Sequence, residues 1–578
     1  MVSFLYFGEL LVSHYEGEGC CLSCILTRYF NTRKDRAILK KSNAALGSAG
    51  DYDFIFQDMA RNIELLLNKD INLVDEFGRR KVVKIDSRTL NLETSYCNPV
   101  PDCEYCSTLP IDSEELAYDA GKQMLQEINS KSNLPFRKHK SVFWGNWIDK
   151  LFLDKNFGVI SCLLDYFGGS FPTAIAMLPL ENGIDEPGSG RTSSIDTSRA
   201  IAMIEALERY AGFRPRGKKT KIFDSLYQLE QENYPVFEIQ KFILNQNSIS
   251  NKGITTNNKF IFDSHKKYHW VYGYNLTSQN AVLIPETLVY YGLVLKDSSY
   301  KDEIFTYEIS NGCSTGGSLL ESSYYGLLEV IERDNFLTMW YFDRRIIEID
   351  FSGNLMHEEL IDNLVFFSKK YQEFKLRFFD ISTNLTVKTV MCTIQRISVD
   401  KKKMNFMCAT SSDFSIEEAM CKAMHEITSI FFGLEERFIE EYDEVVKKSK
   451  DITLIHNMTD HCLVYGHFEK IKDITFWDRI TEIKKVEDYM ERPNFSLNKA
   501  YSILIDELRK QDKDILVFDQ TTEEMKKIGL YCTKTMVPGL LPMTFGYNNL
   551  RISQERVEDL ERYEQKRLKV NFQPHPFP

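Results

Sequence analysis

Two glutamates and an arginine interrupt an apolar stretch in the segment GLLEVIERDN, residues 326–335. Glu329, Glu332 and Arg333 are spaced so that they lie side by side on a helix while the leucines face elsewhere. Adjacent carboxylates repel each other unless a cation lies between them, and Mg²⁺ is held in proteins by carboxylates together with substrate phosphates. For this motif alone, a solvated acidic face partly neutralised by Arg333 would be the better interpretation.

The same acidic pattern occurs in a second predicted helix. IEALERYAG, residues 204–212, places Glu205, Glu208 and Arg209 among Ile, Ala and Leu residues. Two such helices predict that the carboxylates face one another across a cation site. A third predicted helix carries Glu426 beside a histidine, a pair that by itself is more often structural than catalytic.

Runs of small residues precede both acidic helices, in EPGSGRTSSIDTS (186–198) and ISNGCSTGGSLLE (309–321). Small residues let backbone N–H groups approach phosphate oxygens, and a helix N-terminus adds a favourable dipole. Neither run matches a G-x-x-x-x-G-K-[ST] phosphate loop or a G-x-G-x-x-G fingerprint. Ser318 and Glu321 also fit a capping box, which is the structural alternative to phosphate binding.

Cysteines near the N-terminus have the spacing of metal-binding knuckles. Cys21 and Cys24 form one C-x-x-C pair, and Cys103 and Cys106 form a second. Four thiolates are enough for a closed tetrahedral zinc site. The pairs are far apart in sequence, so unliganded or redox-active thiols remain the alternative.

Composition and charge exclude several classes of protein. The 578 residues carry a net charge of -12, which disfavours nucleic-acid backbones and anionic membranes as partners. The N-terminus lacks a basic n-region and a small-residue cleavage site, and no run of eighteen apolar residues occurs. We therefore expect a cytoplasmic protein whose thirteen cysteines are thiols or metal ligands rather than disulfides.

Strand-like and helical patterns alternate along the chain. Residues 268–292 and 388–398 are rich in aromatic and β-branched residues and predict strands, with long helical patterns between them. The fold class predicted is α+β, or mixed α/β. We predict a small domain at 1–115, a linker at 116–145 and a large domain at 146–578, because the middle segment is rich in turn-forming and basic polar residues.

Four segments resemble, in order and approximate spacing, motifs of the YcaO family: GSGRTSSIDTSRAIAMIEALERYAG, SNGCSTGGSLLESSYYGLLEVIERDN, SSDFSIEEAMCKAMHEI and VPGLLPMTFGYNNLRI. The C-terminal PHPFP resembles the P-x-P-x-P ending of azoline-forming members, so the resemblance covers about residues 140–578. It implies an ATP- and Mg²⁺-dependent cyclodehydratase. Its substrate would be a ribosomal precursor peptide whose Cys residues, with Ser and Thr as further candidates, become azoline rings of a thiopeptide or other azole-containing bacteriocin.

The resemblance also implies roles for individual residues. The nucleotide-binding positions that match the family's motifs are Glu205, Glu208, Ser314, Glu321, Glu329, Glu332, Arg333 and Glu426. Of these, Glu205, Glu208, Glu329 and Glu332 would hold Mg²⁺. Arg333 would neutralise charge on the transferred phosphoryl group, and the carboxylate of Pro578 is a candidate base. Two positions depart from the family pattern, with Gly317 where Asn is usual and Ser429 where Gln is usual.

Residues 1–115 resemble the C-terminal part of the E1-like, zinc-binding domain that accompanies such cyclodehydratases, in CLSCILTRYF and LNLETSYCNPVPDCEYC. This region is too short to include a winged-helix element for the substrate leader, so a separate leader-binding protein is expected. A homodimer and a flavin-dependent azoline dehydrogenase are further expected partners. The alternatives are thioamide or amidine formation, and a non-catalytic docking scaffold, which Gly317 and Ser429 would favour.

Overall fold

The computed structural model describes residues 2–6, 9–13, 20–33, 61–63, 74–86, 89–167, 171–243, 261–489 and 495–578. These residues form four β-sheets with helices packed against them, which confirms the mixed α/β fold class. Among them, no helix is both long and apolar enough to cross a membrane.

The N-terminal sheet is antiparallel, with its four strands in sequence order. The strands are β1 (Val2–Tyr6), β2 (Glu9–Ser13), β3 (Arg80–Asp86) and β4 (Leu92–Cys97), and helix α1 spans Leu22–Thr32. Leu11 and Val82 from the sheet pack against Ile25 and Tyr29 of α1 in a small core that also contains buried cysteines.

Three further sheets form the rest of the molecule. A three-stranded sheet contains β5 (Cys162–Tyr166), β6 (Thr173–Pro179) and β7 (Asp185–Arg191). A six-stranded sheet contains β8 (Ile222–Ser225), β9 (Lys267–Asn275), β10 (Asn280–Pro285), β11 (Cys313–Gly316), β17 (Leu516–Asp519) and β18 (Tyr531–Met536). A five-stranded sheet contains β12 (Ile346–Asp350), β13 (Phe374–Asp380), β14 (Lys388–Arg396), β15 (Phe406–Asp413) and β16 (Ile480–Lys485).

Helices cover and connect these sheets. They are α2 (Glu114–Ile128), α3 (Ser141–Phe152), α4 (Ile195–Phe213), α5 (Leu226–Gln231), α6 (Glu286–Val289), α7 (Leu293–Lys296), α8 (Leu319–Tyr341), α9 (Glu358–Lys370), α10 (Ile416–Glu440), α11 (Tyr442–Lys450), α12 (Met458–Gly466), α13 (Leu497–Lys510), α14 (Glu523–Lys527) and α15 (Gln554–Glu564). Helix α8 packs on β11 and β18 of the six-stranded sheet and on β15 of the five-stranded sheet, so it joins the two.

The small-residue run before α4 begins as a strand, where the sequence predicts a phosphate-binding loop. Its first six residues, 186–191, lie in β7, and its last four, 195–198, lie in α4, which packs directly against this strand. A Cβ atom at Gly190 would lie 1.8 Å from the carbonyl oxygen of Ser198, and one at Gly188 would lie 2.4 Å from that of Ala202. The glycines are therefore needed for close packing of helix on strand, which is a structural role that the sequence alone does not distinguish from phosphate binding.

The segment 116–145, predicted as a linker, contains most of α2 and the start of α3. Helix α2 buries Ala117, Gly121 and Met124, and it packs against β9 and β10. The ring of Tyr274 lies so close to Gly121 that a Cβ atom there would be 2.1 Å from it. The segment is thus folded onto the large sheet, while the predicted domain boundaries stay a prediction.

Candidate functional site

A cleft of about 750 Å³ lies where α4, α8 and α10 meet the C-terminal tail. Helix α4 contributes Glu205 and Glu208, and α8 contributes Glu329 and Arg333 to its lining. The other sequence-predicted residues that line it are Ser314 on β11, Glu426 on α10 and Pro578 at the C-terminus. The helical pattern of the sequence thus brings both acidic motifs to one cleft.

The carboxyl groups of the cleft are held in an environment that disfavours their charge. Burial, together with the nearby charges of Glu205 and Glu329, raises the pKa of Glu208 well above its usual value. Burial also raises the pKa of Glu329 and Glu426, and it raises that of Glu332 to about 8 against the opposing effect of Arg333. Converging carboxyl groups with raised pKa values are suited to a divalent cation, which would stabilise their ionised forms.

Two of the sequence-predicted carboxylates already have protein partners. Glu205 accepts a hydrogen bond of 2.7 Å from the backbone N–H of Ser189 and pairs with Arg209 at 2.8 Å. Glu332 accepts one of 2.7 Å from the hydroxyl of Thr410 on β15. These contacts fix the glutamates against neighbouring strands, so their positions do not depend on a bound cation.

Glu321 lies behind the cleft wall, at the start of α8, and is 1% exposed. Its carboxylate contacts the guanidinium of Arg137 at 3.2 Å and accepts a hydrogen bond of 3.0 Å from the backbone N–H of Lys138. Arg137 also lies over the ring of Tyr325, 3.5 Å from its centroid, and itself lines the cleft. The structure therefore places Arg137 between the predicted ligand Glu321 and the space available to a nucleotide.

The two departures from the family pattern have local explanations. A Cβ atom at Gly317 would lie 2.7 Å from the Cβ atom of Lys138, whose ammonium group also donates to the carbonyl of Gly317 at 3.3 Å. The Lys138 segment thus fills the space that a larger residue would need. The Ser429 hydroxyl donates to the carbonyl of His425 in its own helix at 2.6 Å.

Several basic residues of the cleft have no role that the sequence motifs indicate. Arg137, His139 and Arg191 line it, as does Arg209, which pairs with Glu205 and Glu186. The basic run FRKHKS is the available signal, but its composition predicts a linker, and nothing in the local sequence shows that it contacts α8.

The C-terminal PHPFP segment is inserted into the protein. His575 is 0% and Phe577 1% exposed, while Pro578 reaches the cleft. The guanidinium carbon of Arg333 lies over the Phe577 ring at 4.4 Å, and the indole N–H of Trp340 donates to the carbonyl of Gln573 at 2.9 Å. These contacts fix the terminal residue beside the acidic helices.

A pair of neutral histidines anchors this tail. His461 donates through Nδ1 to the carbonyl of His575 at 2.6 Å and accepts from the backbone N–H of Gly546 at Nε2, at 2.8 Å. His575 donates through Nε2 to the carbonyl of Thr544 at 2.9 Å and accepts from the N–H of Phe577 at Nδ1, at 3.3 Å. In each ring, one nitrogen donates a hydrogen bond and the other accepts one from a backbone N–H. Protonation would add a hydrogen to the accepting nitrogen and direct it at the backbone N–H of Gly546 or Phe577, so the hydrogen bond would be lost.

We expect tail docking to weaken as the pH falls below 6.5. Burial lowers the pKa of His461 to about 4 and that of His575 well below 6.5, so the undocked state binds more protons in this range. The opening free energy of residues 571–578 should fall by up to about 1.4 kcal/mol per pH unit for each histidine. Hydrogen–deuterium exchange of the C-terminal peptide, corrected for intrinsic rates, measures this change.

The matched variants are His461→Gln with His575→Gln, and His456→Gln as an exposed control. The double variant should lose the pH dependence of tail opening, and the control should keep it. An unchanged slope in the double variant would show that other groups govern docking.

The four predicted zinc ligands converge in the N-terminal unit. Sγ of Cys21 lies 3.7 Å from that of Cys24 and 3.5 Å from that of Cys103, and Cys24 lies 3.4 Å from Cys106. A tetrahedral Zn²⁺ with bonds of about 2.3 Å requires sulfur atoms about 3.8 Å apart, so the geometry fits the metal. The spare thiols of Cys20 and Cys97 are buried beside this cluster.

This cysteine unit contacts the helix that carries the first acidic pair. Arg28 of α1 donates to the Tyr210 hydroxyl at 3.0 Å, and Arg214, directly after α4, pairs with Asp102 at 3.1 Å. Asp102 immediately precedes Cys103, so one of the predicted zinc ligands is one residue from the contact with the end of α4.

The fold is similar to that of solved heterocyclases. A heterocyclase solved in complex with substrate and cofactor is similar, with 17% identity and a TM-score of 0.70 over 99% of this chain and 76% of that one. The heterocyclase TruD is similar at 17% identity and a TM-score of 0.60, over 99% of this chain and 74% of its own. No curated protein sequence matches the chain.

A family model described as YcaO cyclodehydratase, ATP- and Mg²⁺-binding, matches residues 189–541. This chain belongs to the YcaO family, and it is an ATP-dependent cyclodehydratase. The match spans α4, α8 and α10, the helices that carry the glutamates of the cleft.

Proposed function

We propose that this enzyme converts Cys residues of a ribosomal precursor peptide into thiazoline rings, with Ser and Thr as further candidates for oxazoline formation, while cleaving ATP to ADP and phosphate. The observation that carries the proposal is the convergence of Glu205, Glu208, Glu329 and Glu426 with the carboxylate of Pro578 on one cleft. The cleft is large enough for a nucleotide and a peptide segment to meet.

Each of the sequence-predicted residues in and around the cleft has a distinct role in this proposal. Glu205, Glu208, Glu329 and Glu332 would hold Mg²⁺, which when bound neutralises the nucleotide phosphates, and Ser314, Glu321 and Glu426 would complete the nucleotide site. Arg333 would stabilise charge on the phosphoryl group during transfer. Arg137, fixed by Glu321, supplies a second cation at the wall of the cleft.

The proposed reaction is the one that the family resemblance implies. The peptide thiol or hydroxyl attacks the preceding amide carbonyl, its proton passes to a base, and the resulting oxyanion takes the γ-phosphoryl group of ATP. Loss of phosphate and of the amide proton then forms the C=N bond of the azoline. The carboxylate of Pro578 is our candidate for the base, because the buried tail holds it beside Arg333.

Several finer features belong to the same proposal. Zn²⁺ held by Cys21, Cys24, Cys103 and Cys106 would stabilise an E1-like docking unit. A separate leader-binding protein would deliver the precursor, a flavin-dependent dehydrogenase could oxidise the azolines, and the enzyme would act as a homodimer. Synthesis of a thiopeptide or other bacteriocin and a cytoplasmic location stay predictions from the sequence.

The mass of a Cys-, Ser- and Thr-rich precursor, incubated with the enzyme, ATP, Mg²⁺ and its leader-binding protein, tests the function. Loss of one water per ring with release of phosphate is the expected result. ATP cleavage with a gain of sulfur or coupling to an amine would instead establish thioamide or amidine formation. Absence of both ATP binding and mass change would contradict the proposal and favour a docking scaffold.

We further expect affinity for Mg²⁺ to rise with pH. The glutamate ligands must be ionised to bind a cation, and the pKa of Glu332 is raised to about 8 while those of Glu208 and Glu329 are also raised. Affinity should increase by up to about tenfold per pH unit for each proton displaced. Calorimetric titration with a non-hydrolysable ATP analogue and Mg²⁺, in buffers of different ionisation enthalpy, measures the protons released.

The matched comparison is Glu332→Gln against Glu436→Gln, which changes an exposed glutamate of α10. Only Glu332→Gln should reduce proton release. Binding without proton release in the unaltered enzyme would show that these carboxyl groups do not ligate the cation.

A further inference from the structure

A second group of metal-binding side chains lies outside the nucleotide cleft, between α9 and α10. Cys421 and His425 are four residues apart on α10 and therefore share a face, which Glu359 of α9 approaches. His425 Nε2 lies 3.7 Å from Cys421 Sγ and 3.5 Å from Glu359 Oε1, and all three ligand atoms are within 4.8 Å of one another.

These separations match the edges of a tetrahedral metal site. With Zn–S bonds of about 2.3 Å and Zn–N and Zn–O bonds of about 2.0 Å, sulfur and nitrogen lie about 3.5 Å apart, and nitrogen and oxygen about 3.3 Å apart. A thiolate, an imidazole and a carboxylate together form a ligand set typical of zinc. We propose that Glu359, Cys421 and His425 bind a second Zn²⁺, distinct from the ion proposed for the four-cysteine cluster.

The surroundings fit such a site. The Phe171 ring packs on His425 with 4.6 Å between centroids and holds the imidazole in place. The Asn363 amide donates to His425 Nε2 at 2.6 Å, so it occupies the lone pair that the metal would take. Rotation of this amide would turn Oδ1 toward the metal as a fourth ligand. Glu359, with a side chain 45% exposed, leaves the site open to solvent for metal entry.

The proposed zinc site could influence the nucleotide cleft through α10, although the zinc proposal does not depend on the proposed cyclodehydratase function. Consecutive residues of a helix point about 100° apart, so His425 and Glu426 face different sides of α10. Glu426 lines the nucleotide cleft while His425 faces α9. A metal joining α9 to α10 would fix the rotation of α10 and with it the position of Glu426. Zinc content is measurable whether or not rings are formed, so failure of this inference and of the proposed function are distinguishable.

Zinc content of the full chain, determined by elemental mass spectrometry after equilibration with a weak chelator, tests the inference. The unaltered protein should hold about two zinc ions, and the variant Cys421→Ser with His425→Gln about one. Glu359→Gln changes a solvent-accessible side chain and should weaken binding of the second ion by at least about tenfold without unfolding the protein. Cys162→Ser with His456→Gln removes an exposed thiol and an exposed imidazole and should change nothing.

Two results would overturn the inference. One is a folded Cys421→Ser, His425→Gln variant with the zinc content and affinity of the unaltered protein. The other is a single zinc ion in the unaltered protein that is lost on replacing Cys21 and Cys103 and is insensitive to Glu359→Gln. If the double variant fails to fold, the affinity change in Glu359→Gln decides the question.

Discussion

Replacement of Glu329 by Gln should reduce ATP turnover by about 100- to 1000-fold while the protein remains folded. Glu329 lies on the cleft face of α8 near Arg333, and burial raises its pKa, so its charge is costly unless a cation is bound. Gln keeps the shape and removes the charge. The expected loss is therefore in kcat for ATP, with no decrease in the thermal unfolding temperature.

Glu332→Gln should have a similar effect, because the amide oxygen can still accept from Thr410 but supplies no charge to the cation. Glu436→Gln, on the exposed side of α10, is the control and should retain full turnover. Measured rates of phosphate release, together with circular dichroism, separate loss of chemistry from loss of fold. Full turnover in both cleft variants would show that the metal-site assignment is wrong.

Deletion of Pro578 should reduce ring formation by about 100-fold or more and leave affinity for ATP within about threefold. The deletion withdraws the terminal carboxylate by about 3.3 Å, while His575 and Phe577 keep the tail buried. A base must lie within hydrogen-bonding distance of the proton that it removes, so a shift of this size is sufficient to disable it. Precursor mass change and nucleotide binding are the two measurements.

Pro578→Ala is the matched control, because it removes the ring but leaves the carboxylate at the same chain position. It should retain most of the ring-forming activity. Equal losses in the deletion and in Pro578→Ala would indicate that the tail acts by packing. Parallel losses of ATP binding and ring formation would indicate a structural role as well.

The acidic cleft shows how far local patterns predict a site. The spacing of Glu205 with Glu208, and of Glu329 with Glu332, identifies the acidic helices because helical periodicity depends on neighbours in sequence. It does not identify Arg137, which reaches Glu321 across 184 positions of the chain. Nor does it show that Glu321 is already paired, since that contact depends on how the segment between α2 and α3 folds onto the start of α8.

In the glycine-rich segment before α4, the local pattern suggests a phosphate-binding loop that the structure does not place there. The run before α4 has the composition of a phosphate loop, yet its glycines lie in β7 and allow α4 to approach. A glycine-rich composition indicates that another group must approach the backbone closely. Only the tertiary structure shows whether that group is a phosphate or, as here, a helix.

The sequence by itself determined the fold class, the family, the acidic helices and the paired cysteines, because periodicity, spacing and ordered motifs are local properties. Only the tertiary structure decided that PHPFP enters the cleft, that His461 and His575 anchor it as neutral rings, and that Glu359 meets Cys421 and His425. Each of these depends on contacts between distant segments, whose geometry is set by the packing of whole helices and sheets rather than by any local pattern.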